Sequence, residues 1–275
     1  MNISFEFFPP KTPEGNSKLL AAHEALIASK PEFFSVTFGA GGSTQDGTLN
    51  TVLSLQEQGS EAAPHLSCIG ATEEQLAQLL DTYQQKGIHR IVALRGDIPS
   101  GMGNSGAFGY ASDLVRFIRQ HSGDHFFIEV AAYPEMHPQA KSPTADIDNF
   151  VYKVECGANS AITQYFFNAD AFLNFRDQVK KRVSIPIVPG IMPITNFSQL
   201  ARFSDACGAE IPRWIRTKLQ SFGDDRQSIQ AFGLDVITQL CERLLHEGAD
   251  GLHFYTMNSA GPSMEVLRRL GKERG

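Results

Sequence analysis

Short apolar runs recur along the whole chain, and most are followed by a stretch in which apolar residues return every three or four positions. Most of the runs are continuous and rich in β-branched and aromatic residues, which is typical of strands buried on both faces. The pattern predicts eight strands, at Ile3–Phe8, Phe33–Phe38, His65–Ile69, Arg90–Leu94, Phe126–Ala132, Ala161–Phe166, Ile185–Ile191 and Gly251–Tyr255.

Helical periodicity fills the intervals between these strands. Thr72-Glu73-Glu74-Gln75 has the form of a capping box, and Ser112 is placed to cap another helix. The predicted helices cover Asn16–Ser29, Thr44–Gln58, Thr72–Lys86, Ser112–Gln120, Thr144–Cys156, Ala169–Lys181, Ser198–Ser204, Asp224–Glu247 and Pro262–Leu270.

Alternation of strands and helices to the end of the chain predicts an α/β fold, namely a parallel (β/α)8 TIM barrel. An open doubly wound sheet is the alternative. No linker rich in Gly, Pro or Ser divides the 275 residues, so we expect one domain over residues 1–275. The segment Cys207–Gly223 exceeds the minimal pattern and predicts an extra helical segment before the last strand.

Charge and composition restrict the possible partners. The net charge of −6 is unlike the basic surface of a nucleic-acid binder, and no apolar run is long enough to cross a bilayer. The first residues also lack the cationic start and apolar core of a secretory leader. We therefore expect a cytoplasmic protein without nucleic-acid or membrane partners. The four cysteines form no C-x-x-C pair, which argues against a metal site or a disulfide framework.

One glycine motif invites a nucleotide-binding interpretation. Gly101, Gly103 and Gly106 match the G-x-G-x-x-G fingerprint, and Glu129 supplies an acid roughly 20 residues later. The fingerprint requires its first glycine directly after a strand and a helix at its end. Here the segment Arg95–Ser100 intervenes, and the next predicted helix begins several residues after Gly106. We expect a glycine-rich loop rather than a dinucleotide site.

Polar residues converge at the C-terminal ends of the predicted strands, where barrels of this type place their active sites. Glu6 is the most unusual, because it lies among three phenylalanines and two prolines. Burial raises a carboxyl pKa, so Glu6 is predicted to stay protonated near neutral pH and act as a general acid. The alternative is an interior Glu paired with Lys or Arg. Asp97 is either a turn residue or an anion facing a developing cation, and His65 and His137 could be buried structural histidines.

Eight segments at or near these strand ends carry a recognisable set of motifs: Ser4–Pro10, Ser35–Ala40, Ala63–Leu66, Ile91–Asp97, Tyr110–Leu114, Ala131–Pro138, Ala161–Phe166 and His253–Thr256. In content and order they resemble the flavin-dependent bacterial methylenetetrahydrofolate reductases. The resemblance covers the chain nearly from end to end.

The resemblance implies an FAD-dependent enzyme that reduces 5,10-methylenetetrahydrofolate to 5-methyltetrahydrofolate in one-carbon and methionine metabolism. NADH or NADPH would deliver hydride to the flavin and leave before the folate occupies the same face, which gives ping-pong kinetics. We expect the folate and the nicotinamide donor as partners, together with further copies of the chain in a homo-oligomer. Because the chain ends just after the barrel, no regulatory domain is expected.

The resemblance also assigns residues. Glu6 would protonate the leaving ring nitrogen of the folate, and Asp97 would stabilise the resulting iminium cation. Substrate-binding residues would be Asp97, Gln164 and Tyr255. The residues matching positions that line FAD are Thr37, Phe38, Ala40, His65, Arg95, Gly96, Asp97, Tyr110, Ala131, Tyr133, His137, Ala140, Asp146, Asn149 and Lys153.

Three positions depart from the family pattern. Tyr152 replaces a basic residue expected beside the FAD phosphates, and Leu219 replaces an aromatic residue that packs on the substrate. Ser259 stands where an arginine often meets the folate tail, a role that Arg213 or Lys218 could take.

Other functions on the same barrel stay open at this point. A pterin-binding methyltransferase would need a cobalamin or metal partner and none of the flavin-lining residues. A non-catalytic folate-binding paralogue would have no need of both carboxylates, yet Glu6 and Asp97 are present. A flavin-free reductase is a further alternative.

Overall fold

A computed structural model describes residues 1–38, 45–96 and 106–272. Within these residues the chain forms parallel strands that alternate with helices. The strands are β1 Asn2–Phe7, β2 Phe33–Val36, β3 Ala62–Ser67, β4 Arg90–Leu94, β5 Phe127–Ala132, β6 Ser160–Thr163, β7 Ile187–Val188, β8 Gly190–Ile191 and β9 Gly251–Tyr255.

The strands follow one another around a barrel in the order β7-β6-β5-β4-β3-β2-β1-β9-β8. β7 pairs with β6 and β8 pairs with β9, and only Pro189 separates β7 from β8. The two short strands therefore occupy one position, so the described strands fill the eight positions of the predicted TIM barrel.

The prediction of one continuous strand at Ile185–Ile191 was wrong in detail. Pro189 has no N–H to give to a strand ladder, so pairing stops there and resumes at Gly190 on the other neighbour. Gly190 N–H donates to Thr163 Oγ1 at 2.9 Å. A Cβ on Gly190 would lie 2.1 Å from Thr163 O, so the close approach of β6 requires glycine.

The described helices surround the barrel, as predicted, with ends that differ from the expected ones by a few residues. They are α1 Pro13–Ile27, α2 Gln45–Glu57, α3 Glu73–Gln85, α4 Ala111–Ser122, α5 Pro143–Glu155, α6 Ala169–Val179, α7 Phe197–Cys207, α8 Arg213–Ser221, α9 Arg226–His246 and α10 Ala260–Arg269. α8 is the extra helix predicted before the last strand. Among the described helices, none combines the length and apolar character needed to span a membrane.

Two helix starts show how local sequence sets the boundaries. The capping box of α3 is confirmed, because Gln75 N–H donates to Thr72 Oγ1 at 3.2 Å and Thr72 N–H donates to Gln75 Oε1 at 2.9 Å. Ser112 is not the cap of α4. Tyr110 occupies that position, and its N–H donates to Asp113 Oδ2 at 3.1 Å, so the carboxylate one turn into the helix fixes the start.

The main hydrophobic core lies between the barrel and the helices, and a smaller cluster fills the barrel interior. Continuous apolar strands create both layers, since alternate side chains point inward and outward. The interior cluster consists of Phe33, Ala63, Val92 and Ile162, with Leu94 and Tyr255 packed against it.

A buried ion cluster lies at the N-terminal end of the barrel. The Arg90 guanidinium lies 4.3 Å from the ring centroids of both Phe33 and Phe127. It donates to Glu129 Oε1 at 2.8 Å and to Glu32 Oε1 at 2.5 Å. An ion pair therefore holds Glu129 in β5. Gly101 and Gly103 of the G-x-G-x-x-G motif lie outside the described residues.

Candidate active site

Glu6 lies near the C-terminal end of β1 and points into the barrel. Its side chain is 19% exposed, so the carboxylate sits at the floor of the barrel mouth. Its Oε2 atom is 3.2 Å from His65 Nε2 on β3 and 3.8 Å from His253 Nε2 on β9. Ser35 Oγ on β2 donates to the same oxygen at 3.5 Å. Three neighbouring strands thus aim polar groups at one carboxylate oxygen.

The predicted rise in the pKa of Glu6 was wrong. Burial raises the pKa of the carboxyl group, but the approach of His253 and His65 outweighs burial and lowers the pKa to about 2. Both Nε2 atoms are buried and, within the described residues, neither has a partner with full hydrogen-bond geometry. Proximity rather than well-aligned hydrogen bonding therefore favours the ionised form. The alternative predicted a Lys or Arg partner, but among the described residues the ion-pair partners of Glu6 are His65 and His253.

The end of β9 is tied to the strand that carries Glu6. Thr256 Oγ1 donates to Glu6 O at 2.6 Å. Asn258 Nδ2 donates to Phe8 O at 2.9 Å, and Phe8 N–H donates to Asn258 Oδ1 at 3.0 Å. These bonds fix the backbone of Glu6 independently of its side-chain contacts.

Two of the predicted substrate-binding residues lie on neighbouring strand ends. Tyr255 ends β9, beside Glu6 in the β1–β9 register, and its hydroxyl donates to Thr163 O at 2.6 Å. Gln164 follows β6, and its Oε1 accepts from Tyr165 N at 3.0 Å. Gln164 and Tyr133 line the same small cavity. Asp97, the third predicted substrate-binding residue, lies outside the described residues.

Several residues predicted to line FAD meet between β5 and α5. Lys153 Nζ donates to Ala131 O, and His137 N–H donates to Asp146 Oδ2 at 2.8 Å. The Tyr133 and His137 rings are 4.5 Å apart. Ala140 N–H donates to His137 O at 2.9 Å, and Asp146, Asn149 and Lys153 follow one another along α5 at spacings that share a helix face.

A second group of these residues lies on β2 to β4 and at the start of α4. Thr37 N–H donates to Phe7 O at 2.9 Å, and Phe38 follows it. Ser67 Oγ donates to Arg95 O at 2.8 Å. Gly96 has a φ of +88°, and a Cβ there would lie 2.0 Å from Ser67 Oγ, so only glycine fits. Tyr110 is 68% exposed, and Ala40 lies outside the described residues.

The donor set of the first group fits an anionic dinucleotide such as FAD. Burial lowers the pKa of the Lys153 ammonium to about 8, while Asp146 acts in the opposite direction. Lys153 is half-buried, and its ammonium contacts Ala131 O and lies 5.4 Å from the centroid of the Phe150 ring. Such a cation has capacity for an anion, and a pyrophosphate supplies one. Of the three departures, Tyr152 contacts the guanidinium of Arg116, which brings a cation to a position where the family pattern expects one.

Five polar residues around Glu6 were not predicted as site residues: Ser4, Ser35, His253, Thr256 and Asn258. A signal for His253 was present, because a histidine two positions before Tyr255 shares its face of an otherwise apolar strand. Ser4 has the same relation to Glu6. No group of three His, Cys, Asp or Glu side chains suited to a metal ion occurs in the described parts of the chain.

Comparison with known proteins identifies a family. The model of the methylenetetrahydrofolate reductase family matches residues 1–271. The 5,10-methylenetetrahydrofolate reductase of Escherichia coli is 41% identical over 277 residues, which cover 100% of this chain and 92% of that protein. The enzyme of the same name from Pectobacterium carotovorum is 41% identical, with 98% and 90% covered. A probable NADH-dependent methylenetetrahydrofolate reductase of Oryza sativa is 38% identical, and this chain spans 48% of its length.

Solved structures support the fold. A protein from Clostridium thermocellum that binds two copies of 5-methyl-5,6,7,8-tetrahydrofolic acid superposes with a TM-score of 0.67 at 17% identity, covering 98% of this chain and 93% of that one. Dihydropteroate synthase from Thermus thermophilus superposes with a TM-score of 0.51 at 12% identity, covering 98% and 93%. At these identities the likeness concerns the barrel alone.

Proposed function

Because the chain belongs to the methylenetetrahydrofolate reductase family, we propose that it reduces 5,10-methylenetetrahydrofolate to 5-methyltetrahydrofolate with electrons from NADH or NADPH through bound FAD. The observation that carries the proposal is Glu6, a carboxylate at the barrel mouth beside two histidines and a serine. Family membership supports the reaction, and the chemistry of the mouth supports the assignment of a proton donor.

Residues on β5 and α5 would hold the FAD. Lys153 would neutralise the pyrophosphate, and Tyr133 and His137 would offer aromatic surface at the strand end. On the other side, Gly96 lets the Ser67 side chain pack against the backbone after β4, which would set the wall of the flavin site there. When bound, FAD supplies the hydride-transfer chemistry that connects the nicotinamide to the one-carbon unit.

Glu6 supplies the proton that the folate requires. Opening the methylene bridge breaks a C–N bond, and the electron pair stays on the ring nitrogen, which takes a proton from the Glu6 carboxyl group. The carbon left behind is an iminium cation, and Asp97 is the carboxylate assigned to stabilise it. Gln164 offers both a donor and an acceptor, which suits the edge of a pterin ring.

This role requires the pKa of Glu6 to rise when the substrate binds. In the structure the pKa of Glu6 is about 2, so the carboxyl group is ionised at neutral pH. A pterin ring over the mouth would cover the exposed 19% of the side chain and exclude water. Desolvation disfavours the charged form and so raises the pKa. A proton can then reside on Glu6 at the moment of ring opening.

An absorbance spectrum of the purified chain tests the proposal. We expect a flavin band that bleaches when NADH or NADPH is added without oxygen. The band should return when 5,10-methylenetetrahydrofolate follows, with 5-methyltetrahydrofolate as the product. A colourless protein that gains no band after incubation with FAD would overturn the proposal. Bleaching by the nicotinamide with no recovery after the folate is added would indicate a flavin-dependent reductase of another substrate.

Single-domain organisation over residues 1–275, a homo-oligomeric state and a cytoplasmic location stay predictions. Light scattering of the purified protein measures the oligomeric state. If the scattering mass equals that of one chain of 275 residues at micromolar concentration, the homo-oligomer prediction is wrong.

A further inference from the structure

A buried serine–histidine pair lies directly behind Glu6. Ser4 and His253 are partners in the β1–β9 register, and their side chains meet inside the barrel, with Ser4 Oγ 2.7 Å from His253 Nδ1. Ser4 is 4% exposed and His253 is fully buried. The other ring nitrogen of His253, Nε2, faces Glu6 Oε2 at 3.8 Å.

The surroundings of His253 decide which ring nitrogen carries its proton. Burial lowers the pKa of His253, so the ring is neutral and holds one N–H. A carboxylate oxygen faces Nε2, which favours the proton there. Nδ1 then has a lone pair, and the Ser4 hydroxyl must donate to it. The serine therefore stabilises the tautomer in which the Nε2–H points towards Glu6.

The plane of the imidazole is also fixed. The Phe33 ring stacks on it at 6.0 Å, and the Tyr255 ring meets it edge-on at 5.3 Å.

Within the described residues, the titratable groups that face Glu6 are His65 from β3 and His253 and Tyr255 from β9. His65, His253 and the Ser35 hydroxyl all approach Oε2.

We propose that Ser4 and His253 are positioning residues for Glu6. They keep its Oε2 atom facing the Nε2–H of His253, so Oε1 is the oxygen that carries a proton to the substrate. The inference rests on the proposed function, because it refines the proton donor of that reaction. The two oxygens of Glu6 then differ before any substrate binds. The His253 contact, on the side of Glu6 away from the barrel mouth, therefore orients the proton donor.

A matched pair of substitutions tests the role of the Nε2–H. An asparagine at this position reaches Ser4 but is too short to reach Glu6, whereas a glutamine places an amide N–H near the position of Nε2. We therefore compare His253→Asn with His253→Gln. The Glu6 titration is followed by isotope-edited infrared spectroscopy of ¹³C-labelled glutamate, after subtraction of the Glu6→Gln protein. The folate half-reaction is followed by stopped flow across the same pH range.

We expect His253→Asn to move the Glu6 titration upward by roughly one unit or more, because the ionised form loses the nearby polar Nε2–H. The folate half-reaction should slow about tenfold or more, since the donor oxygen is no longer oriented. His253→Gln should restore most of both. Ser4→Ala should shift both quantities in the direction of His253→Asn but less far, and Ser4→Thr, which keeps the hydroxyl, should not.

Equal behaviour of His253→Asn and His253→Gln in the infrared titration would overturn the proposal, because a purely structural role does not distinguish them. If neither variant folds by near-ultraviolet circular dichroism, the comparison of Ser4→Ala with Ser4→Thr decides in the same way. Failure of the proposed function is a separate result: the wild-type chain would then form no methylated folate, while the infrared shift would still report on the His253 contact.

Discussion

The Glu6 carboxyl group is ionised at neutral pH, with a pKa of about 2, whereas the proposed general-acid role requires it to be protonated when the folate ring opens. Glu6→Gln removes the proton donor while keeping nearly the same shape. We expect the folate half-reaction to slow by roughly 10²- to 10⁴-fold, the range for loss of a general acid. Hydride delivery from the nicotinamide needs no proton from Glu6 and should change far less. Stopped-flow flavin absorbance separates the two steps.

Glu6→Asp is the informative control for that variant, because it keeps the acid but withdraws it by one methylene. It should retain more folate reduction than Glu6→Gln. If both half-reactions of Glu6→Gln are intact, Glu6 has no role as a general acid.

Lys153 makes a prediction about cofactor affinity and its pH dependence. Lys153→Met removes a charge-assisted contact, so FAD should bind roughly 10- to 100-fold more weakly. In the wild type, FAD affinity should fall as pH rises above about 8, because the Lys153 ammonium loses its proton there. The same group has the opposite effect on folding: the unfolded chain keeps the proton up to about 10.5, so stability of the apoprotein rises with pH between these values.

Fluorescence titration of the apoprotein with FAD between pH 7 and roughly pH 9.5 measures this dependence. Lys181→Met, at an exposed lysine just after α6, serves as the matched control and should leave affinity unchanged. An unaltered dissociation constant in Lys153→Met would remove Lys153 from the flavin site.

At the scale of single elements, α3 depends on the residue that caps its start, Thr72. Thr72→Ala removes the side-chain acceptor for Gln75 N–H, and we expect the free energy of unfolding to fall by about 1 kcal/mol. Thr72→Ser keeps the acceptor and should lose much less. Urea denaturation measures both, and an equal loss in the two variants would mean that the threonine methyl group, rather than the cap, contributes the stability.

Element positions could be predicted because buried strands and amphipathic helices differ in the period of their apolar residues. The boundaries that failed have local causes. The strand at Ile185–Ile191 is broken by Pro189, an effect of a missing N–H that hydrophobicity does not contain. The cap of α4 moved to Tyr110 because the Asp113 carboxylate accepts from the backbone there.

The positions of the candidate site residues could be predicted from the sequence, but the charge of Glu6 could not. Glu6, Gln164 and Tyr255 lie at or just after strand ends, as expected from alternation and barrel topology, while their roles in a site stay predictions. The pKa of Glu6 depends instead on His65 and His253, which come from distant strands. In the sequence, phenylalanines surround this carboxyl group and indicate an apolar environment. The histidines come to lie beside it only in the closed barrel.

At the scale of the whole molecule, stability and chemistry occupy opposite ends of the barrel. Arg90→Met would leave the Glu129 carboxylate buried without its cation, since Glu129 is 2% exposed. We expect a loss of about 3–5 kcal/mol in the free energy of unfolding. The double variant Arg90→Met, Glu129→Leu should recover most of that loss. Urea denaturation of the three proteins measures the difference, and no recovery in the double variant would contradict the explanation.

Glu129 also predicts a pH dependence of stability. Burial raises its pKa from 4.5 to about 7, although the charge of Arg90 opposes the shift. The folded chain therefore binds more protons than the unfolded chain between these values, and this group lowers stability as pH rises through that window. Glu129→Gln should remove the contribution. The comparison is the difference in unfolding free energy between wild type and variant at pH 5 and pH 7.5, which should change between the two conditions.

The pairing of β1 with β9 has a consequence for folding during synthesis of the protein. Ser4 and His253 are 249 positions apart, so at typical rates of synthesis roughly 10 to 50 s separate their appearance at the ribosome. During that interval β1 lacks one neighbour, and Glu6 lacks the histidine behind it. A nascent chain that stops before Gly251 lacks β9, so it cannot close the barrel. It also lacks the histidine that contacts Glu6. Truncated translation products should therefore be inert, and their unpaired first strand should mark them for chaperones.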